Sequence, residues 1–379
     1  GKFAYIPVIA RQGKRLTREH KLTLALRGIL LSKLQMSEVK YGIAVSQREK
    51  ITEIEKIAIN QSLKSQLSES IEKINNDLSK KEPPPLTSNR KKCSICFWKK
   101  VCDITSKQEG HLSEVSGIGA KRMFLLQKLG INNINELAHA NETSLKEGLD
   151  KFGVQHGKIS TQIIRQANVN LTGKPIKLTS NLSLKKIESA PGLLIYDIES
   201  DPDYKHDFLH GIIKLKRGVD NKYDIENARY QPFLNIDNHS EKFLWKRLKK
   251  KLQFYSKWPI LHYGETEIHS LCNLAIKNGE TKAEIDSFKS RFIDIHILLK
   301  EFWCLPTKDY GLKSVAEWVG FSWSKKDING PRALLWWRQW KVSSKGKKYY
   351  SKNLKLIFEY NRDDCLATWE IAKWLIDNK

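Results

Sequence analysis

The sequence predicts an α/β protein of more than one domain, on three observations: strand-like apolar runs alternate with helical apolar stripes, a proline cluster breaks the chain early, and a second break falls near 173–175. At 379 residues the chain exceeds one ordinary core, and two or three domains are expected. Hydrophobic residues at 40% and charged residues at 28% describe a folded chain and exclude a disordered tail protein. Lys and Arg number 66 against 42 Asp and Glu, and the resulting +24 points to a polyanionic partner. No apolar run approaches the roughly 20 residues of a membrane helix, and no signal peptide opens the chain; a soluble, cytoplasmic protein without a membrane partner is expected.

Phe3 to Val8 reads as a strand already in progress behind a first residue that is not Met, so the chain is expected to be a fragment. Leu22, Leu24, Leu26, Ile29, Leu30 and Leu34 give a helical stripe within Leu16 to Leu34, and Tyr41 to Val45 a strand. Ile51 to Leu78 reads as one long polar amphipathic helix, ended by Lys80-Lys81-Glu82-Pro83-Pro84-Pro85. A helical stretch runs from His111 to Val169, and Gly173, Lys174 and Pro175 separate it from a domain beginning near Ser180. There Gly192 to Tyr196 has the pattern of a buried strand, with Phe208 to Leu215 as its hairpin neighbour. A basic amphipathic helix (Glu241 to Tyr255), a strand (Pro259 to Tyr263), a helix (Glu267 to Asn278) and a last helix (Leu354 to Leu375) complete a mixed sheet with packed helices.

The strand from Gly192 ends in Asp197-Ile198-Glu199, and residues two apart on a strand share a face. Two carboxylates that close repel unless a cation lies between them, and Mg²⁺ or Mn²⁺ prefers such oxygen ligands; a solvated strand end is the bland alternative. In the last helix the i, i+4 spacing sets Tyr360 beside Asp364, a phenol and a carboxylate able to hold a water and a metal, or else a core Tyr on a helix that faces water. Glu267 opens a helix after His262-Tyr263-Gly264-Glu265-Thr266 and serves either as a further ligand or as a charge at a helix N-terminus. Glu265 and Asp294 are substitutes for it, Asp294 being equally an N-cap.

Asp197-x-Glu199, the later acidic motif and Tyr360-x-x-x-Asp364 together resemble the DEDD exonucleases of the RNase H-like superfamily, tyrosine branch, over residues 185–379. The resemblance implies an RNase H-like mixed sheet with flanking helices and two Mg²⁺ or Mn²⁺ ions held by Asp197, Glu199, Glu267 and Asp364. It also implies a water oriented by Tyr360, and hydrolysis of nucleic acid from the 3′ end. The second motif departs from the family's Asn-x-x-x-Phe-Asp, with His262 and Glu267 at those places. Asp197 to Asp203, His262-Tyr-Gly, Tyr310-Gly-Leu-Lys-Ser314, Gly320-Phe-Ser-Trp323 and Tyr360 to Cys365 resemble, in order, the RecB-like nucleases that carry such a C-terminal domain. Trp336, Trp337, Arg338 and Trp340 fit the same subgroup; they could stack on bases, though an aromatic cluster is more often core.

Cys93, Cys96 and Cys102 have the spacing C-x2-C-x5-C, which lets three thiolates converge on one metal. The RecB-like resemblance implies a [4Fe-4S] cluster with a fourth Cys, but none precedes Cys93; Zn²⁺ with another fourth ligand and a metal-free trio are the alternatives. Residues 1–106 would then be a partial RecB-like region lacking that family's Asp and Glu-x-Lys catalytic strands, with a structural or DNA-positioning role. Within 107–172, Ser116-Gly117-Ile118-Gly119-Ala120-Lys121 resembles a helix-hairpin-helix, whose glycines bring backbone N–H groups to a phosphate while Lys121 adds charge; a plain glycine turn is the alternative. The expected function is a metal-dependent 3′–5′ exonuclease, with single-stranded DNA favoured over RNA as substrate. An RNA-processing exonuclease and a nucleic-acid-binding subunit with an idle acidic site are the rivals.

Overall fold

A computed structural model describes residues 4–11, 16–48, 51–81, 85–87, 93, 96–180, 182–236, 238–325, 328–344 and 351–379. The chain divides into two compact units, Gly1–Leu86 and Thr87–Lys379.

The first unit runs β1 (Val8–Arg11), α1 (Arg18–Leu34), β2 (Tyr41–Arg48), β3 (Ile51–Ala58) and α2 (Gln61–Leu78). Its sheet has the order β1-β2-β3, with β1 parallel to β2 and β2 antiparallel to β3. Leu24 of α1 packs on Ile9 and Ala44, while Ala25 joins Val39, Ile59, Leu63 and Leu67 in a second small core. Two expectations are corrected here. The stretch Ile51 to Leu78 is not one helix: its first part, whose isoleucines at 51, 54 and 57 are spaced three apart as in a helical stripe, pairs antiparallel with β2, and Asn60 then caps α2 by accepting from the Leu63 N–H at 3.0 Å. The first strand lies at Val8–Arg11 and not at Phe3 to Val8, where residues 1–3 are outside the described residues.

The second unit opens with helices: α3 (Lys99–Gln108), a 3-10 turn at Leu112–Glu114, α4 (Ala120–Lys128), α5 (Ile134–Ala138), α6 (Glu142–Asp150), α7 (Val154–Gly157) and α8 (Ser160–Thr172). They close over Leu112, Leu126, Leu137, Leu149 and Ile163. Gly173 ends α8 in the left-handed conformation, at φ +66°.

The remainder runs β4 (Ile176–Lys177), α9 (Lys185–Glu188), β5 (Gly192–Asp201), β6 (His206–Arg217), β7 (Tyr223–Leu234), α10 (Asn238–Phe254), β8 (Ile260–His262), α11 (Thr266–Lys277), α12 (Lys282–Lys289) and β9 (Phe292–Asp294). It ends with α13 (Ile295–Phe302), β10 (Trp303–Cys304), α14 (Leu312–Trp318), α15 (Gly330–Ser344) and α16 (Lys352–Asp377). The main sheet has the order β7-β6-β5-β8-β9, antiparallel from β5 to β7 and parallel from β5 to β9. Side chains of β5 alternate between its faces. Leu193 and Ile195 pack with Leu299, Val315, Cys365 and Trp369 from α13, α14 and α16; Leu194 and Tyr196 pack with Leu244, Leu248, Leu271 and Phe288 from α10, α11 and α12. β7 and β9 escape the periodicity reading because β7 is polar and edge-like and β9 spans three residues.

The helices and the sheet are joined within this unit. β4 pairs with β10, Gln166 of α8 donates to the Leu305 carbonyl at 2.7 Å, and Lys308 pairs with Glu114 at 2.9 Å. Among the described residues no helix is long and apolar enough to cross a membrane.

α15 settles the reading of its aromatic segment. Trp337 and Trp340 are fully buried, with Trp337 stacked on Phe208 at 4.5 Å, while Arg338 forks onto Asp201 (2.9 and 2.6 Å) and reaches Asp203. These tryptophans are core and cannot stack on bases. Trp337→Ala is therefore expected to lower stability by about 3–5 kcal/mol in urea unfolding, the cost of emptying a large buried site. A Trp acting in base stacking would instead lose nucleic-acid affinity with unchanged unfolding.

Candidate active site

The odd residues of β5 that carry apolar side chains at 193 and 195 carry carboxylates at 197 and 199, on the face covered by α16. α16 is 26 residues long and capped by Ser351, whose side chain accepts from the Leu354 N–H; its buried residues include Ile371 and Leu375 toward the sheet core, and Tyr360, Asn361 and Asp364 at the strand end. One ligand atom from each of Asp197, Glu199 and Asp364 lies within 4.8 Å of the others, and among the described residues no other such group of His, Cys, Asp or Glu is found.

Each carboxylate has fixed partners. Asn361, fully buried, donates through Nδ2 to Asp197 Oδ2 at 2.6 Å and accepts from the Tyr230 hydroxyl at 2.8 Å. Its approach depends on Gly211, which pairs with Asp197 across β5 and β6: a Cβ there would fall 1.7 Å from Asn361 Oδ1. Asp364 accepts from Trp323 Nε1 at 2.7 Å, and Tyr360 is buried one helical turn earlier on the same helix. The neighbouring Asp363 faces elsewhere and accepts from the Ser324 N–H at 2.8 Å. Lys313 of α14 lies over the rings of Tyr360 (5.4 Å) and Trp323 (5.5 Å) and donates to the Ile328 carbonyl.

Electrostatics report how crowded the acids are. Burial and then the charges of Asp364, Glu199 and Glu267 hold the Asp197 carboxyl well above the usual carboxylate range. Burial and Asp364 do the same to Glu199, against the opposing hydrogen bond of Asn361 and the charge of Lys313. Asp364 is pushed up to about 6 by burial, held from rising further by Trp323, Tyr360 and Lys313. The Tyr360 phenol is raised far above its ordinary value by burial and by the three acids, so it remains a neutral donor at physiological pH.

Glu267 lies outside the tight trio, yet its charge acts on Asp197. It is buried, and its Oε2 has no hydrogen-bond partner; His262 Nδ1, 3.7 Å away, is engaged with the Gly264 carbonyl at 2.7 Å. Of its substitutes, Glu265 is exposed, and Asp294 caps α13 while also accepting from the Gly264 N–H. Repelling buried acids together with an orphaned carboxylate oxygen fit a divalent-cation centre, with oxygen donors suited to Mg²⁺ or Mn²⁺.

The other predicted residues lie elsewhere. Cys93 is buried, Cys96 exposed and Cys102 half-buried, and the three do not form a converging group. Gly117 has φ +88°, and Gly119 is the N-cap of α4 without a side-chain cap; Gly119 and Lys121 are exposed. Asn361, Tyr230, Trp323, Lys313 and Gly211 received no role from the sequence. Lys313, Trp323 and Asn361 lie in the motifs Tyr310-Gly-Leu-Lys, Gly320-Phe-Ser-Trp and Tyr360-Asn, but spacing alone does not bring them together, and Tyr230 and Gly211 lie in no motif singled out.

The geometry defines a buried carboxylate centre at the end of a mixed β-sheet. Residues 194–376 match a family model described as RNase H superfamily, so the C-terminal part of the chain is an RNase H-like domain with an acidic cluster able to bind divalent metal. No curated protein and no solved structure matches the chain.

Carboxyls with raised values bind more protons folded than unfolded, so their contribution to stability is favourable at low pH and is lost as pH rises from the ordinary range near 4 through their folded values, about 6 for Asp364. In chelator, wild type is expected to lose stability relative to Asp197→Asn as pH rises through this window, because the amide carries no charge to bury. Mn²⁺ at neutral pH is expected to raise the melting temperature of wild type and not of Asp197→Asn; a parallel rise in both would remove the centre from Asp197. Gly211→Ala is expected to abolish the same metal-induced shift by displacing Asn361.

Proposed function

We propose that this protein is a metal-dependent 3′–5′ exonuclease acting on single-stranded DNA. The observation that carries the reading is the converging trio of Asp197, Glu199 and Asp364, with Tyr360 buried one helical turn before Asp364 on the same helix. Asp197, Glu199 and Asp364 would hold the cations, with Glu267 as a further ligand. The ions, when bound, supply charge neutralisation for the phosphodiester and its leaving oxygen. The residues do the rest. Tyr360, protonated, orients the attacking water by hydrogen bonding and takes no proton from it. Asn361 keeps Asp197 in one rotamer, and Trp323 does the same for Asp364. Lys313 adds a fixed cation beside Glu199 and Asp364, where negative charge accumulates as the phosphate is attacked.

The turn at Gly117 and Gly119 is proposed as a helix-hairpin-helix contact to the backbone of the strand. Free N–H groups at the start of α4 and the exposed Lys121 support a sequence-independent hold on phosphate. The excess positive charge supports a nucleic-acid substrate of either sugar; the preference for DNA over RNA rests on resemblance alone.

The test is digestion of 3′- and 5′-labelled single-stranded DNA and RNA with Mn²⁺. A ladder growing from the 3′ end is expected, abolished by Asp197→Ala and by Asp364→Ala. Tyr360→Phe and Lys313→Met are each expected to cut the rate by about 10²-fold with little change in strand affinity. Tight binding without cleavage would make the protein a binding subunit with an idle site; cleavage confined to RNA would assign the other substrate.

A further inference from the structure

On the opposite side of the sheet from the carboxylates, α10 spends its apolar face entirely on the core: Leu244, Trp245, Leu248 and Leu252 are buried against Leu194, Tyr196 and Ile212. Its outward face is a ladder of like charges. Lys242, Lys246 and Lys250 follow one another at i, i+4 and i+8, all exposed, with Arg247 exposed beside them. Like charges at i, i+4 repel and weaken a helix. Among the described residues no acid pairs with these four, whereas the neighbouring Lys249 is bound by Glu280 and Glu284. Two large aromatics interrupt the cationic face, Phe243 at 64% and Phe254 at 78% exposure, and the Arg247 guanidinium lies over the Phe243 ring at 5.8 Å.

A second observation extends the surface past the end of the helix. Lys251 and Lys214, the latter from β6, both approach the Tyr255 ring, at 5.3 and 6.0 Å. Burial and then the Lys214 charge lower the Lys251 ammonium below its ordinary value. Two cations are thus held together, with no acid paired to either among the described residues, an arrangement that a bound anion relieves.

We infer that the outer face of α10 is a second binding surface for the sugar–phosphate backbone of single-stranded nucleic acid, separate from the carboxylate centre and independent of sequence. Cations spaced along a helix neutralise successive phosphates, and exposed aromatics between them offer stacking planes to any base. A membrane surface fits less well, since an interfacial helix must insert its apolar face and that of α10 is already in the core. The surface would hold the uncut part of a long strand while its end is at the carboxylates; this role rests on the exonuclease reading, but the binding itself does not.

The experiment uses the full chain carrying Asp197→Ala, so that nothing is cut, with and without the combined substitutions Lys242→Gln, Lys246→Gln, Arg247→Gln and Lys250→Gln. Binding is measured by fluorescence anisotropy across a salt series, on labelled single strands of about 40 and about 6 nucleotides, the shorter spanning one groove only. The long strand is expected to bind at least about 10-fold more weakly, with the slope of log K against log salt reduced by roughly 3, near 0.7 per lost phosphate contact. The short strand is expected to bind unchanged. Replacing Lys242, Lys246 and Lys250 by Arg instead is expected to preserve long-strand binding, which separates charge from any loss of fold. Unchanged affinity and slope on the long strand would overturn the proposal. So would retained strand binding with lost binding to vesicles containing phosphatidylserine, which would make the face a membrane contact. Absence of cleavage by the otherwise wild-type chain would remove the exonuclease reading and leave this result standing.

Discussion

Mutual repulsion of three crowded carboxylates, two buried and Asp197 half-buried, is the constraint on which the C-terminal domain depends. Two unit charges about 4 Å apart repel by about 4 kcal/mol at the effective dielectric of a protein site, and Asp197, Glu199 and Asp364 converge within 4.8 Å. Left to themselves, side chains so charged would rotate apart toward water. What prevents this is that both carriers are immobilised from behind. β5 is the middle strand of five, and α16 is pinned along its length by residues from Leu354 to Leu375. Neutral donors then occupy particular carboxylate oxygens: Asn361 on Asp197 and Trp323 on Asp364. The site is consequently strained toward a cation and requires little rearrangement to receive one.

The same constraint explains details that packing alone leaves arbitrary. Gly211 is needed because Asn361 must descend from a helix to the level of the strand, and any side chain at 211 occupies its place. Tyr230 buys nothing for the hydrophobic core that a Phe would not, but its hydroxyl fixes the amide orientation of Asn361 so that the nitrogen faces Asp197. Further along the strand Asp201 is buried as well, and there the cation is internal: Arg338 neutralises it, tying α15 across the strand end. One strand thus carries acids with two fates: among the described residues those at 197 and 199 form no direct ion pair, and that at 201 is paired with Arg338.

Much of this was legible in the sequence because it follows from short periods. The period of two placed Asp197 and Glu199 on one face, and the i, i+4 spacing placed Tyr360 on Asp364, since each needs only local geometry. The RNase H-like domain was legible for the same reason, its motifs sitting on long, strongly patterned elements. Contacts between distant segments were not legible. Tyr230, Asn361 and Gly211 meet through the register of β5, β6 and β7 and the crossing of α16, none of which a periodicity reports. The error at Ile51 to Leu78 has a different origin: with Ile51, Ile54, Ile57, Leu63, Leu67, Ile71, Ile74 and Leu78 falling mostly three or four apart, an edge strand followed by a helix imitates one amphipathic helix, and only pairing with β2 decides against it. The tryptophans of α15 show the limit of composition, since an aromatic cluster beside a basic residue has the same sequence signature in a core as in a binding face.

The joint between the helical segment and the RNase H-like domain bears on how a strand could be used. Gln166 is shared between the Leu305 carbonyl and the Cys304 thiol, Asn170 donates to the Glu114 carbonyl, and Lys308 reaches the Glu114 carboxylate, which is itself bound by Ser106. These are polar contacts with both partners satisfied, and they join loop to helix where a flexible tether would leave such groups to water. A backbone gripped at the turn before α4 is therefore gripped in the frame of the carboxylates. Contacts remote from the bond that breaks then contribute to positioning as well as to affinity, because the ordering of strand against site has already been met by the fold. Under the proposed exonuclease reading, such contacts would be useful only if they are indifferent to base identity, and backbone N–H groups, lysines and exposed rings all have that indifference.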